Sequence, residues 1–206
     1  MGAEVSPNGA PRRRTGRRVG PTVSHQLILE IARGQFAERG YEGTTVRTIA
    51  QEAGVDSALV HHFFLTKEGL FEAAVRGALQ PPDLVERVMK GPRGQVGRRT
   101  VELFFSHWDE PGSAARLGGI LRSMTANDMA ADAVRNFLGD QVILPLAQAL
   151  GHSQPELRAA MVGSHLIGLA TTRYVYRVPA IAELTAAGLA AGTGKAIQTY
   201  LTGVLA

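Results

Sequence analysis

Residues 44–71 read TTVRTIAQEAGVDSALVHHFFLTKEGLF. Thr44 and Thr45 offer hydroxyls that can cap a helix, and Val46, Ile49 and Ala50 then recur at helical spacing as far as Gly54. Gly54 admits a left-handed backbone closed to most other residues, so the chain can turn sharply there. Asp56 or Ser57 then caps a second short helix ending near Phe64, and Thr66 caps a third that opens with Lys67 and Glu68. The pattern is a helix-turn-helix.

The second helix has few residues to bury. Val55, Val60 and Phe64 serve as anchors, which leaves Ser57, Ala58, Leu59, His61, His62 and Phe63 outside or at the edge. Small and polar side chains permit close approach to base edges. A helix of about 10–12 Å diameter enters the major groove of B-form DNA, which is about 12 Å wide.

Residues 22–71 resemble the DNA-binding domain of the family named for the tetracycline repressor. The resemblance rests on ILEIARGQFAERGYEGTTVRTIAQEAGV, DSALVHHFF and TKEGLF, which follow one another without a gap. His61 stands where tyrosine is frequent in the family, and Phe63 where histidine or tyrosine is. The resemblance implies an all-α fold: a helix-turn-helix reader followed by a larger helical domain for ligand binding and dimerisation. It places Arg47, in the first turn of its helix, where a guanine can be reached, beside Val46. Thr45 and Lys67 sit at helix starts, where free N–H groups favour phosphate. Ser57, Ala58 and Leu59 are candidates to meet a thymine methyl or a base edge. His61 and His62 are candidates for backbone phosphate, with Phe63 at the rim. Adjacent histidines face different ways on a helix and no third ligand is evident, so no metal is expected.

Upstream, residues 22–39 form the expected first helix, with Ile28, Ala32 and Phe36 in one stripe, Ile31 widening it and Gly40 stopping it. Tyr41 is expected to lay its ring over the small core. Residues 1–21 carry five arginines against one glutamate, and this accounts for the whole formal excess of +4. With three prolines, four glycines and few large apolar side chains, this arm is expected to be disordered in isolation and to follow the phosphate backbone or enter the minor groove. A solvated tail is the alternative.

Downstream, the third helix runs to about Leu79 and Pro81-Pro82 end it, giving three expected units: a basic arm (1–21), a reader (22–80) and a helical regulatory and dimerisation domain (81–206). A short helix spans 83–90. Val101, Phe104, Phe105 and Trp108 make an aromatic stripe, and Leu117, Leu121 and Met124 make the next. Val134, Phe137, Leu138 and Val142 make a third, with Pro145 expected to kink its far end. Leu157, Met161, His165 and Leu169 are read as the inward face of a fourth helix, and a last helix spans 185–205, weakened by Gly188, Gly192 and Gly194.

Two uses compete for this apolar surface. Ala160, Gly163, Ser164 and Gly168 permit close helix approach, and the resemblance implies a homodimer through the last two long helices. Two readers about 34–36 Å apart would read a palindrome. Alternatively, Phe105, Trp108, Leu121, Met124 and His165 enclose a mainly apolar small molecule, with Arg122 or Arg173 to neutralise an anionic one. A plain hydrophobic core explains the same residues. No acid/base pair, activated nucleophile, metal-ligand spacing or phosphate-cradling loop points to an enzyme, and no cofactor is expected. The absence of cysteine suits a reducing compartment. With no apolar run of membrane length and no signal-like N-terminus, the expected location is the cytoplasm, on the nucleoid. The function expected is a ligand-responsive repressor released from its operator by an effector. An enzyme or carrier using the apolar pocket and a sequence-independent architectural DNA binder are the rivals.

Overall fold

A computed structural model describes residues 21–79, 83–136, 139 and 142–205; the basic arm lies almost wholly outside them. Twelve α-helices occupy the described residues. The first four are α1 (Pro21–Arg39), α2 (Val46–Glu52), α3 (Ser57–Phe64) and α4 (Lys67–Leu79). They close on Ile28, Phe36, Ile49, Val60, Leu70 and Phe71, all buried, with the rings of Phe36 and Phe71 meeting edge to face at 4.9 Å.

Then come α5 (Leu84–Met89), α6 (Val96–Trp108), α7 (Ser113–Ala126), α8 (Asp128–Asn136), α9 (Leu144–Leu150), α10 (Pro155–Ala170), α11 (Pro179–Ala182) and α12 (Ala186–Thr202). The aromatic stripe of α6 is buried as its spacing predicts: Val101, Phe104, Phe105 and Trp108 are each shielded. α6 lies along α12 at a separation set by two glycines. A β-carbon on Gly97 would stand 2.2 Å from the backbone nitrogen of Gln198, and one on Gly194 would stand 2.8 Å from Cα of Arg98. Gly194, which weakens α12 as an isolated helix, is what lets it dock.

Two expectations are corrected. Pro145 stands in the first turn of α9, directly after the π-helical residues 142 and 143; Phe137 and Leu138 of the same expected stripe lie outside the described residues. On α10 the buried face is Arg158, Ala159, Val162, Leu166 and Ala170, and Leu157 is 46% exposed. Both faces of that helix are apolar enough to satisfy a 3.6-residue period, so the neighbouring helices, and not the period, choose the inward one. The last helix stops at Thr202, and Val204 beyond it is exposed.

Arg158 shows what that choice achieves. Its guanidinium donates to the carbonyls of Ser153 (2.6 Å), Tyr200 (2.7 Å) and Gly203 (3.0 Å), and so ties the start of α10 to the C-terminal turn of α12. The charge meets the negative end of a helix dipole in place of a carboxylate.

The reader is fastened to the rest through α1 and α7. A β-carbon on Gly119 would stand 2.3 Å from Cα of Ala37, so the two helices touch backbone to backbone. The Tyr41 N–H donates to Ser123 Oγ at 3.2 Å, and Asn127 donates to Glu42. A shift of α7 is therefore felt directly at the base of the reader.

Candidate nucleic-acid interface

The helix-turn-helix forms because each of its ends is satisfied locally. Thr45 is the N-cap of α2: its hydroxyl accepts from the Thr48 N–H at 3.1 Å while the Thr48 hydroxyl closes the reciprocal contact. Thr48 Oγ lies 2.8 Å from Gln35 Oε1, and the buried Gln35 amide donates to Glu52 at 2.7 Å, which ties α2 to α1. Gly54 takes φ +65° and turns the chain, and Asp56 then accepts from the Ala58 N–H at 2.8 Å to start α3. Thr44, a second candidate for the cap, is buried and bonds back to the Gly40 carbonyl.

This scaffold sorts α3 into two faces. Val60 and Phe64 point into the core, and His25 of α1 stacks on Phe64 at 4.8 Å. Ala58, His61 and His62 are exposed and Ser57 and Leu59 half-buried, whereas Phe63 packs edge-on against His25 at 5.3 Å. Arg47 is exposed on the neighbouring helix beside the half-buried Val46, and makes no hydrogen bond or ion pair with the described residues. The outer side of α3 thus carries the short Ser57 and Ala58 with His61 and His62, its other side is packed, and the uncommitted guanidinium of Arg47 stands beside it on α2.

Lys67 is less free than its position at a helix start suggests. Its ammonium lies 4.2 Å from the centre of the Tyr41 ring. Tyr41 caps the small core as expected, and its hydroxyl donates to Glu68 at 2.7 Å. Burial, with the Glu68 bond and charge, raises the Tyr41 hydroxyl pKa, and that bond holds the Glu68 carboxylate below its ordinary range. Tyr41→Phe is expected to cost about 1 kcal/mol at neutral pH. Because the Glu68 pKa is depressed on folding, this contribution is present above the ordinary carboxylate range and fades as pH falls through the folded value. Urea unfolding of both proteins between pH 7 and pH 3 checks it, the difference shrinking on acidification.

Sequence reasoning did not single out Leu65. It ends α3 at φ +63° and is 78% exposed, an apolar side chain held beside the reader by a strained backbone. The Leu65 carbonyl lies 3.0 Å from Nδ1 of His61, so that ring is oriented from within the chain. No residue-type signal marks such a position in advance.

Two family profiles match the chain: "Bacterial regulatory proteins, tetR family" over residues 28–74, and "Tetracyclin repressor-like, C-terminal domain" over residues 94–201. The chain belongs to the TetR family. A TetR-family regulator from Streptomyces coelicolor A3 is 32% identical, with 91% of this chain and 99% of that one aligned at a TM-score of 0.62. The fatty acid degradation regulator FadR from Bacillus halodurans is 16% identical over 88% of this chain and all of its own, at a TM-score of 0.60, and shows the TetR fold alone. The HTH-type transcriptional repressor AcnR of Corynebacterium glutamicum is 50% identical over 56 residues, 27% of this chain and 30% of AcnR. Likeness to such curated relatives therefore spans less than a third of their length. The all-α fold with an N-terminal helix-turn-helix and a C-terminal helical domain is the one the sequence predicts, and the TetR regulators it resembles are DNA-binding proteins.

The six residues named for a ligand cavity do not come together on one open surface. Phe105, Trp108 and Leu121 are buried and Met124 is half-buried. His165 faces Tyr200 at 5.9 Å between α10 and α12. Arg173 alone of the six lines a described cleft, between α1, α7 and the turn after α10. Among the described residues no cluster of three or more histidines and carboxylates is placed to hold a metal, and no helix is long and apolar enough to cross a membrane.

Proposed function

We propose that this chain is a cytoplasmic transcriptional repressor that binds a palindromic operator as a homodimer and is released by a small-molecule effector. The observation that carries the reading is the two-sided α3: one face seals the small core, and the other presents Ser57, Ala58, Leu59, His61 and His62 outward beside the uncommitted Arg47. Arg47 reads a base edge; Thr45, Val46, Phe63 and Lys67 frame the phosphates. Residues 22–80 act as reader and 81–206 as regulatory and dimerisation domain.

The dimer forms through α10 and α12, which leave Leu157, Ala160, Ser164 and Gly168 on one helix and Gly192, Lys195 and Thr199 on the other exposed. The effector is mainly apolar and enters beside Phe105, Trp108, Leu121 and Met124, next to Arg173, whose guanidinium lies 5.9 Å from the centre of the Phe105 ring; His165, which faces Tyr200 between α10 and α12, is not part of that site. The Trp108 indole N–H, buried without an acceptor among the described residues, supports this by calling for one polar atom there. Binding of the effector favours a spacing of the two readers that no longer fits successive turns of the duplex.

Footprinting on the DNA upstream of the chain's own gene supplies the operator. At moderate salt the protein is expected to prefer that palindrome over random duplex by about 10³ or more, with two chains per site. Equal affinity for the two would make it an architectural binder and end the repressor reading.

A further inference from the structure

The α1–α7 junction opens on one side into a cleft of about 680 Å³. Its walls come from three places: Ala37 and Glu38 of the reader, Gly118 and Arg122 of α7, and the segment after α10 that carries Arg173, Tyr174 and Arg177. Short side chains leave the space, and guanidinium groups define its chemistry.

The three arginines are not equivalent. Arg173 is buried and committed, donating to Asp109 at 2.8 Å and to the Leu184 carbonyl. Tyr174 donates to the same carboxylate at 3.1 Å, so Asp109 is occupied twice. Arg122 is exposed, with one long bond of 3.3 Å to the Ala37 carbonyl and no carboxylate partner among the described residues. Arg177 is exposed with neither a hydrogen bond nor an ion pair there. Glu38 is the one carboxylate among the described lining residues, so uncommitted positive charge exceeds negative in the cleft.

The backbone that brings these groups together is unusual. Thr171–Val175 is a π-helical turn at the end of α10, a rare geometry that is frequent at functional sites. Two residues on, Arg177 holds φ +51°, a left-handed conformation that costs energy for a side chain of its kind and aims it out of the helical path. A wider helical turn and a strained residue in sequence turn Arg173 and Arg177 to the same cleft.

We propose that this junction cleft binds a small organic anion, its acidic group held by Arg122 and Arg177 and its short apolar body against Ala37 and Gly118. Carboxylate and phosphate both match a guanidinium fork. Arg122 already reaches from α7 to the last turn of α1, so an anion that draws it away alters the contact on which the reader sits. Occupancy therefore changes operator affinity, a step that rests on the repressor reading above, whereas binding itself does not.

Calorimetric titration of the full chain with hexanoate and with hexyl phosphate at millimolar concentration tests the site without DNA. At least one is expected to bind once per chain, and Arg122→Gln and Arg177→Gln are each expected to weaken it about tenfold or more, a loss of charge-assisted bonding. Arg93→Gln, remote from the cleft, serves as the control. Which probe binds identifies the acidic group. Binding of neither, or binding unchanged in both cleft variants, overturns the site. In a second arm the bound anion is expected to shift operator affinity about fivefold or more, and to fail to do so in Arg122→Gln. An anion that binds and leaves operator affinity unchanged overturns the regulatory role and keeps the site. A chain that binds the anion but no operator keeps the site and refutes the repressor.

Discussion

Gly97→Val is expected to destabilise the fold by about 3 kcal/mol or more, which corresponds to a fall of about 6–12 °C in Tm for a chain of this size. A β-carbon at position 97 would meet the backbone nitrogen of Gln198 at 2.2 Å and the carbonyl oxygen of Gly194 at 2.3 Å. Neither atom can rotate away, so α6 and α12 must separate along their contact. Separation also breaks the bond from the Gly97 N–H to Gln198 Oε1 at 2.9 Å. Because α12 is one of the two helices proposed to form the dimer, the variant should also dissociate more readily. Gly34→Ala is the control of opposite sign: no atom outside its own helix backbone stands within 4 Å of the added carbon. There the gain in helix propensity, about 0.5–1 kcal/mol, should appear as a small rise in Tm. Thermal unfolding of both variants decides the matter, and a Gly97→Val protein as stable as the parent would mean that α6 and α12 are not in backbone contact.

Arg47→Ala is expected to reduce operator affinity by about 1–3 kcal/mol, or about 5- to 150-fold, and to leave affinity for random duplex nearly unchanged. The guanidinium is exposed and has no partner among the described residues, so its removal breaks no internal bond there, and stability should hold within about 0.5 kcal/mol. That separation of binding from folding makes it the sharper test of base reading. Lys67→Ala should lower affinity for both duplexes alike and flatten the salt dependence, as removal of a phosphate contact does. If Arg47→Ala weakened both duplexes equally, Arg47 would be a phosphate contact and specificity would lie with the α3 side chains.

The reader is legible in the sequence because its elements are set by local chemistry. The cap of α2, the Gly54 turn and the cap of α3 each involve residues a few positions apart; the turn stands where the glycine predicts it, and of the candidates the spacing offered the structure takes Thr45 for α2 and Asp56 for α3. The same holds for the aromatic stripe of α6, where Val101, Phe104, Phe105 and Trp108 fall together on the buried face. Legibility ends where a helix has two apolar faces. On α10 the spacing of Leu157, Met161, His165 and Leu169 suits burial, yet the core receives Ala159, Val162 and Leu166.

Sequence alone determined that this is an all-helical chain with a capped helix-turn-helix near its start, since helical periodicity, caps and glycine turns act within one or two turns of chain. Tertiary structure alone decided that Gly97 and Gly119 are points of backbone contact, that Arg158 clasps the end of α12, and that Arg122, Arg173 and Arg177 border one cleft. Those facts join residues from about 40 to about 100 positions apart, as in the Arg158–Tyr200 and Gly97–Gln198 bonds, and such pairings are set by how helices cross, a choice made by the summed packing of many side chains.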